Sequence, residues 1–318
     1  MGNAVNESLA QLSNNLTYSA IAVYVVALVL YAAELAFGAR GVVARTATVT
    51  AGGPATVLDD RESSPSNVRW DAARLGRSAV ALTVLGFGLQ LAAVVTRGLA
   101  AQRVPWGNMY EFSSVAALLV TGVFLVLLTR QDVRYAGVFV MAPVVLTLGL
   151  AVAVLYTDAA ALVPALQSYW LIIHVSVMVL SFAIFTVGAV LAALYLWRSR
   201  DERRGSLGPL ARRLPDAAAL DRVTYRVHAF AFPLFTFAVI AGAIWAEGAW
   251  GRYWGWDPKE TWSFITWVVY AAYLHARSTG GWRGRRAAVI ALVGYAAFLF
   301  NFFGVNLLFS GLHSYGGV

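Results

Sequence analysis

Residues 168–197 decide the fold class of this chain. They read SYWLIIHVSVMVLSFAIFTVGAVLAALYLW and contain no Asp, Glu, Lys or Arg. A helix of about 20 apolar residues crosses the roughly 30 Å hydrocarbon core of a lipid bilayer. This stretch therefore predicts a membrane-spanning helix.

Seven further apolar blocks lie on either side of this stretch. Of all 318 residues, 59% are hydrophobic and 13% charged, and the mean hydropathy is +0.66, whereas an ordinary soluble domain has roughly 25% charged residues. We therefore predict an all-α bundle of eight transmembrane helices that forms one integral membrane domain over residues 1–318. The other blocks are 17–38, 78–101, 113–129, 135–156, 227–247, 261–276 and 287–309. The first is expected to stay as a membrane anchor, because no Lys or Arg precedes it.

The basic residues predict how these helices are oriented. Positively charged connections stay on the cytoplasmic side of a membrane, and 20 of the 24 Lys and Arg residues fall in the connections after helices one, three, five and seven. Both termini are therefore expected on the extracytoplasmic side, and connections 41–71 and 199–220 in the cytoplasm. The net charge of +8 indicates contact with anionic membrane lipid and not with nucleic acid. The opposite face has only Arg97, Arg103, Arg252 and Lys259.

Several classes of chemistry are excluded by what the sequence lacks. The chain has no cysteine, which excludes disulfides, Cys-ligated metal centres and a thiol nucleophile of its own. Redox chemistry must therefore come from a cofactor or a partner. No phosphate-binding Gly-rich loop is present, and the one lysine, Lys259, lies on the predicted outer face. ATP-driven transport by this chain alone is excluded.

A tryptophan-rich connection is the first candidate site. Six of the eleven tryptophans fall within 23 positions, and the core of this region, residues 250–262, reads WGRYWGWDPKETW. One interpretation is an aromatic belt at the headgroup level of the membrane. The alternative is an external loop, residues 248–260, whose aromatic faces bind a flat apolar ligand while Arg252 and Lys259 pair with its carboxylates or phosphates. Asp257, Lys259 and Glu260 serve either as turn and helix cap or in orienting the loop and delivering protons. The six are Trp245, Trp250, Trp254, Trp256, Trp262 and Trp267.

The four histidines fall into two pairs. His174 lies about one turn below the predicted outer end of its helix, and His313 follows the last helix on the same side. His228 and His275 lie near the inner ends of helices six and seven. A lone histidine is most often structural, but two at each face, with an aromatic surface at one of them, is the arrangement needed for bis-imidazole ligation of a planar metal macrocycle.

Residues 104–316 resemble a known family. The segment 250–262 is similar to the tryptophan-rich signature of haem-handling proteins, and the remainder resembles the CcsA/ResC family of cytochrome c synthases. The first hundred residues match only as hydrophobic architecture. The other motifs that carry the likeness are Asn108-Met-Tyr110-Glu111, His174-Val-Ser-Val-Met178, Tyr273-Leu-His275-Ala-Arg277 and Asn306-Leu-Leu-Phe-Ser-Gly-Leu-His313-Ser-Tyr-Gly.

The resemblance implies a role for each matching residue. His174 and His313 would ligate the iron of an external haem b, and His275 that of a haem within the membrane. A ResB-like subunit would be the partner, and the pair would join haem vinyl groups to the thiols of a Cys-x-x-Cys-His apocytochrome c, kept reduced by a further partner. The setting would be the bacterial cytoplasmic membrane, with the active site on its extracytoplasmic face. The residues expected at the external site are His174, His313, Trp250, Arg252, Trp254, Trp256, Asp257, Lys259 and Trp262.

Two alternatives to the synthase stay open at this point. One is a haem exporter without ligation activity, and the other is a non-haem transporter or quinol-binding scaffold in which the tryptophans form only a belt. The second ligand of the inner haem is also open. His228 has no counterpart in the family pattern, and it is either incidental or the axial partner of His275 in place of a ligand from ResB.

Overall fold

The structure, a computed structural model, describes residues 5–37, 66–160, 168–279 and 281–313. Within these ranges the regular structure is helical, without strands. Residues 41–65 of the predicted connection 41–71 and residues 314–316 of the last motif lie outside the described part. The helices are α1 (Glu7–Phe37), α2 (Ser66–Ala101), α3 (Met109–Arg130), α4 (Gly137–Ala153), α5 (Tyr169–Arg203), α6 (Ala217–Trp250), α7 (Pro258–Ser278), α8 (Arg285–Leu299) and α9 (Val305–Leu308).

Seven spans in the described part are long and apolar enough to cross a membrane. They confirm an all-helical membrane protein. The eighth predicted span, residues 261–276, forms α7, which has 21 residues but is not among the seven. The spans are Glu7–Phe37, Ala72–Ala101, Met109–Arg130, Arg134–Ala153, Tyr169–Arg203, Ala217–Trp250 and Arg285–Leu308.

Helix α7 is less apolar than its neighbours because it contains several polar residues. These residues face the protein. Thr266, Tyr270 and Tyr273 are buried, and the indole nitrogen of Trp267 donates to Thr236 Oγ1 on α6 over 2.9 Å. A helix whose polar side chains pack inward needs little hydropathy overall to present an apolar face outward. Mean hydropathy therefore does not decide whether α7 crosses.

The connection between α5 and α6 is shorter than its predicted bounds, 199–220. Helix α5 continues to Arg203, supported by an Arg198–Glu202 pair one turn apart at 2.7 Å. Helix α6 begins at Ala217, where Asp216 caps the helix by accepting from Ala219 N. Polar helix ends extend past the apolar block because water and charged side chains satisfy their backbone groups. The turn that remains includes a short 3₁₀ helix, Ala211–Arg213.

Helix α5 forms the centre of the bundle. It packs against α6, α3 and α8, and residues such as Phe185, Val187 and Leu191 are buried on different sides of it. A helix that is apolar all round is buried in this way. Ser168 caps its N-terminal end by accepting from Trp170 N over 3.2 Å, and this end carries His174 into the site described next.

Candidate functional site

A cavity opens at the end of the bundle where α5 and α7 begin and α6 ends. Its volume is about 170 Å³. The walls are mostly aromatic and aliphatic, with a few polar side chains among them. Predicted site residues that line it are His174, Trp250, Trp254, Lys259 and His313. The structure thus brings together two histidines that are 139 positions apart in the sequence.

His174 is fixed in the cavity wall by α6. Its Nδ1 lies 2.7 Å from the carbonyl oxygen of Ala238. Because a carbonyl only accepts hydrogen bonds, Nδ1 carries the proton and the lone pair of Nε2 stays free. Gly242, one turn further along α6, permits this approach, since a Cβ there would lie 2.6 Å from His174 Nδ1. The ring of Trp245 lies nearly parallel to the imidazole, with centroids 6.4 Å apart.

His313 is fixed by a carboxylate. Its Nδ1 donates to Asp257 Oδ2 over 2.8 Å, which again leaves Nε2 free. The imidazole contacts the rings of Trp250 and Trp245, at centroid distances of 4.8 and 5.9 Å. Burial by itself would raise the pKa of Asp257, but the hydrogen bonds from His313, Leu312 N and Lys259 N outweigh it and hold this pKa below its ordinary value. Asp257 is therefore an ionised acceptor.

The first turn of α7 sets the position of Asp257. Asp257 is the N-cap, Pro258 the first helical residue, and Glu260 completes a capping box by accepting from Asp257 N over 3.0 Å. Lys259, ahead of the apolar stretch that begins at Thr261, lines the cavity. Burial lowers the pKa of Lys259 to about 8, and nearby Asp257 offsets part of this effect.

The chemistry of these donors fits haem. Two imidazoles that keep Nε2 free, each held at Nδ1 by an acceptor, are the form in which histidine ligates a metal. Aromatic walls suit a planar macrocycle, and Lys259 suits its carboxylates. The side chains that would hold a haem are therefore present in one cavity.

Other predicted residues of the Trp-rich loop lie outside the cavity lining. Trp256 is 63% exposed, has a left-handed backbone (φ +59°) and packs its ring edge-on against Phe264. Trp262 packs on the ring of Phe300 at 4.3 Å. Arg252 is exposed and donates to Gly255 O over 3.3 Å. Of the predicted aromatic residues, Trp245, Trp250 and Trp254 line the cavity, together with Tyr253 from the same loop.

One wall of the cavity comes from a connection that the sequence did not indicate. Trp106 and Gly107, between α2 and α3, line the cavity. Gly107 N donates over 2.7 Å to Glu111, a buried carboxylate that also pairs with Arg97 at 3.0 Å and Arg103 at 2.6 Å. One feature of the sequence could have indicated this wall. Arg97 and Arg103 lie on the predicted outer face, where few cations occur, and they are close in sequence to one glutamate, Glu111.

His228 and His275, the two histidines predicted at the inner face, do not face each other. His228 is fully buried, with Nδ1 2.8 Å from Thr224 O and the rings of Tyr270 and Tyr273 beside it. His275 is exposed. It lies two residues after Tyr273, about 200° further round α7. A single iron between these imidazoles does not fit this arrangement.

Comparison with known proteins places the chain in a class. The family model described as "Cytochrome C assembly protein" matches residues 106–313, which is the part that forms the cavity. The chain belongs to this family.

Within the family, the chain is similar to proteins named "Cytochrome c biogenesis protein CcsA". The Synechocystis sp. protein is 38% identical over 275 residues, covering 69% of this chain and 82% of that protein. The Microcystis aeruginosa protein is 39% identical over 291 residues, covering 76% and 87%. The fold matches that of "Cytochrome c Heme Lyase CcmF" with a TM-score of 0.62 and 19% identity, over 97% of this chain and 53% of that one. A role in cytochrome c biogenesis follows.

Proposed function

We propose that this chain is the haem-binding and haem-presenting subunit of a cytochrome c synthase. The observation that carries the proposal is the pair of imidazoles, His174 and His313, that face one aromatic cavity with Nε2 free and Nδ1 bound. In bis-imidazole haem proteins these atoms are the axial ligands of iron. We infer that the cavity lies on the extracytoplasmic side of a bacterial cytoplasmic membrane, where the arginine distribution puts it.

Haem b, when bound, supplies vinyl groups that accept cysteine thiols. The residues of this chain would hold it: His174 and His313 through Nε2 at the iron, Trp250 and Trp254 through apolar contacts, and Lys259 as a cation for its carboxylates. Holding both reactants in register converts a bimolecular addition into an effectively unimolecular one. Since the chain has no cysteine, the thiols arrive on a Cys-x-x-Cys-His apocytochrome c and are kept reduced by another protein.

A second subunit completes the inner site. His275 is exposed and faces away from His228, so a second ligand for an inner haem has to come from outside the described part of this chain. A ResB-like subunit is the partner we propose. His228, surrounded by aromatic rings, then has a packing role.

Co-expression tests the proposal against its alternatives. The chain, a ResB-like subunit and a Cys-x-x-Cys-His acceptor should together give covalent haem staining of the acceptor. Haem that co-purifies with the chain without any covalent product would instead indicate an exporter. A folded but colourless protein would contradict haem binding altogether and favour a transporter or quinol scaffold.

The axial ligands can be tested directly. His174→Ala or His313→Ala should remove one ligand, so that the absorption spectrum of the external haem becomes high-spin or is lost, and added imidazole should restore part of it. His228→Ala is the matched control, because it removes a buried imidazole outside the cavity. Unchanged haem content and spectra in both cavity variants would contradict the assignment.

A further inference from the structure

Two polar residues, Asn301 and Ser263, lie among the apolar residues that line the cavity. Asn301 Nδ2 donates to Ser263 Oγ over 2.9 Å, and both side chains line the cavity. Asn301 is 5% exposed, and its Oδ1 has no hydrogen-bond partner among the described residues. A buried acceptor without a partner is energetically unfavourable, because it has lost its hydrogen bonds to water. The pair therefore has hydrogen-bonding capacity that a cavity occupant can use.

Asn301 lies in the irregular part of its helix. From Phe300 to Gly304 the chain adopts a π-helical turn before α9. Such turns are rare and often occur at functional sites. On either side of Asn301, Phe298 and Phe302 line the same cavity, so the amide is a polar group set among aromatic rings.

Lys259 extends this polar pair towards the cavity mouth. Lys259 and Ser263 are four residues apart on α7, so they lie on one face of the helix, about 6 Å apart along its axis. Both line the cavity, and Lys259 forms no ion pair within the part of the chain that the structure describes. The cation of Lys259 and the hydrogen-bonded pair of Asn301 and Ser263 thus lie next to each other on one wall of the cavity.

The pair can present a donor as well as an acceptor. An asparagine amide exchanges its oxygen and nitrogen by rotating about its last bond. After this rotation Ser263 would donate to Oδ1, and the amide N–H would face the cavity. With Lys259, the wall then offers donors that suit a carboxylate.

We propose that Asn301, Ser263 and Lys259 form a carboxylate subsite that binds a propionate side chain of the haem. This inference rests on the proposed function, because it assigns a place in the cavity to one part of the proposed ligand. Propionates and vinyl groups occupy opposite halves of the macrocycle. A subsite formed by α7 and the turn after α8 would therefore leave the vinyl-bearing half facing away from it, available to the incoming thiols.

Titration with two probes tests the subsite. The full-length protein in detergent is titrated with iron protoporphyrin IX and with its dimethyl ester, and both dissociation constants are measured by absorption. Asn301→Leu, which keeps the size of the side chain, should weaken binding of the free acid about tenfold, the effect of losing one hydrogen bond to a charged group. Binding of the ester should stay the same, which also shows that the variant is folded.

A second pair of variants controls the result. Asn306→Leu also removes an amide from the cavity wall, but this amide already bonds Phe302 O and Met109 Sδ, so the ratio of acid to ester affinity should not change. Ser263→Ala removes only a hydroxyl, and it should lower the ratio even if Asn301→Leu binds neither probe. Equal weakening of acid and ester by Ser263→Ala, or no change in either, would overturn the subsite. Failure of the unaltered protein to bind either probe would instead overturn the proposed function.

Discussion

Asp257 combines two tasks in one side chain. It caps α7 and, through the same carboxylate, holds Nδ1 of His313. An anionic acceptor makes an imidazole a stronger electron donor to a metal. We propose that Asp257 is a positioning residue, which acts through His313 and tunes its basicity. Gly311 permits the close approach, since a Cβ there would lie 2.5 Å from Asp257 Oδ1.

Asp257→Asn should shift the midpoint potential of the external haem to more positive values. Asparagine caps a helix about as well as aspartate, so thermal stability should change little, while the loss of charge weakens His313 as a donor. A redox titration followed by absorption measures the shift. The control is Asp216→Asn at the cap of α6, which should leave the potential unchanged. Equal potentials in Asp257→Asn and the unaltered protein would contradict this role.

Among the described residues, Glu111 is the carboxylate that neutralises both the buried Arg97 and the half-buried Arg103. Arg97 and Arg103 both donate to it, and Gly107 N ties the cavity wall to the same group. Removing one partner of a buried ion pair typically costs about 3–5 kcal/mol. Asn108 caps α3 by accepting from Glu111 N over 2.9 Å, so this motif fixes both the helix start and the wall.

Glu111→Gln should lower the thermal denaturation midpoint in detergent and weaken haem retention. The physical reason is that the buried Arg97 and the half-buried Arg103 lose their counter-charge while the Trp106–Gly107 wall loosens. Asp132→Asn is the matched control, because Asp132 is exposed and pairs loosely with Arg134 at 3.8 Å. It should cost at most about 1 kcal/mol. If both variants denature at the same temperature, the proposed role of Glu111 is wrong.

Among the helices, α6 contributes to the site through the absence of a side chain at Gly242, which leaves room for His174. Gly242→Ala should displace His174, because the new methyl group would lie 2.6 Å from its Cε1 and Nδ1. The expected result is a weakened or high-spin haem spectrum. Gly248→Ala on the same helix meets no atom within 4 Å, so the spectrum should be kept there. A normal spectrum in Gly242→Ala would show that His174 is not held as described.

The sequence predicted some elements well for a physical reason. Uncharged blocks of about 20 residues have few structures open to them besides membrane helices, so the seven most apolar spans were found. Their ends were less accurate, because α1 and α6 each begin ten residues earlier than predicted. Helix α7 shows the limit of this argument. Its inward tyrosines and threonine lower its hydropathy, and only tertiary packing shows which way they face.

The directions of the side chains in the Trp-rich loop could not be predicted from the sequence either, because they also depend on tertiary packing. The pattern marked Trp250, Trp254 and Trp256 alike, yet a left-handed backbone at Trp256 turns its ring outward to Phe264. Similarly, Asn301 reaches Ser263 across 38 positions, a contact that no local pattern indicates. Motif identity predicted the region of the site, whereas backbone conformation and long-range contacts decide its members.

For the whole molecule, the direction of α7 determines whether His275 lies on the same side of the membrane as the cavity or on the opposite side. The C-terminal half of α7 runs antiparallel to α6: Trp267 contacts Phe232, Tyr273 contacts His228, and Arg277 pairs with Asp221 at 2.7 Å. The contacts therefore follow α6 from its middle towards its N-terminal end. We expect α7 to cross the membrane with α6, as an eighth span.

The absence of native cysteine makes this expectation testable by single-cysteine labelling without background. Gly251→Cys, between α6 and α7, and Ser278→Cys, at the far end of α7, should react with a membrane-impermeant maleimide from opposite sides of the membrane. Ser206→Cys, in the arginine-rich connection between α5 and α6, serves as the control and should react from the same side as Ser278→Cys. Intact cells expose one face of the membrane to the maleimide, and inverted vesicles expose the other. If all three positions react in the same one of these two preparations, α7 does not cross. His275 would then lie on the same side as the haem cavity, and the separate inner site would be lost with it.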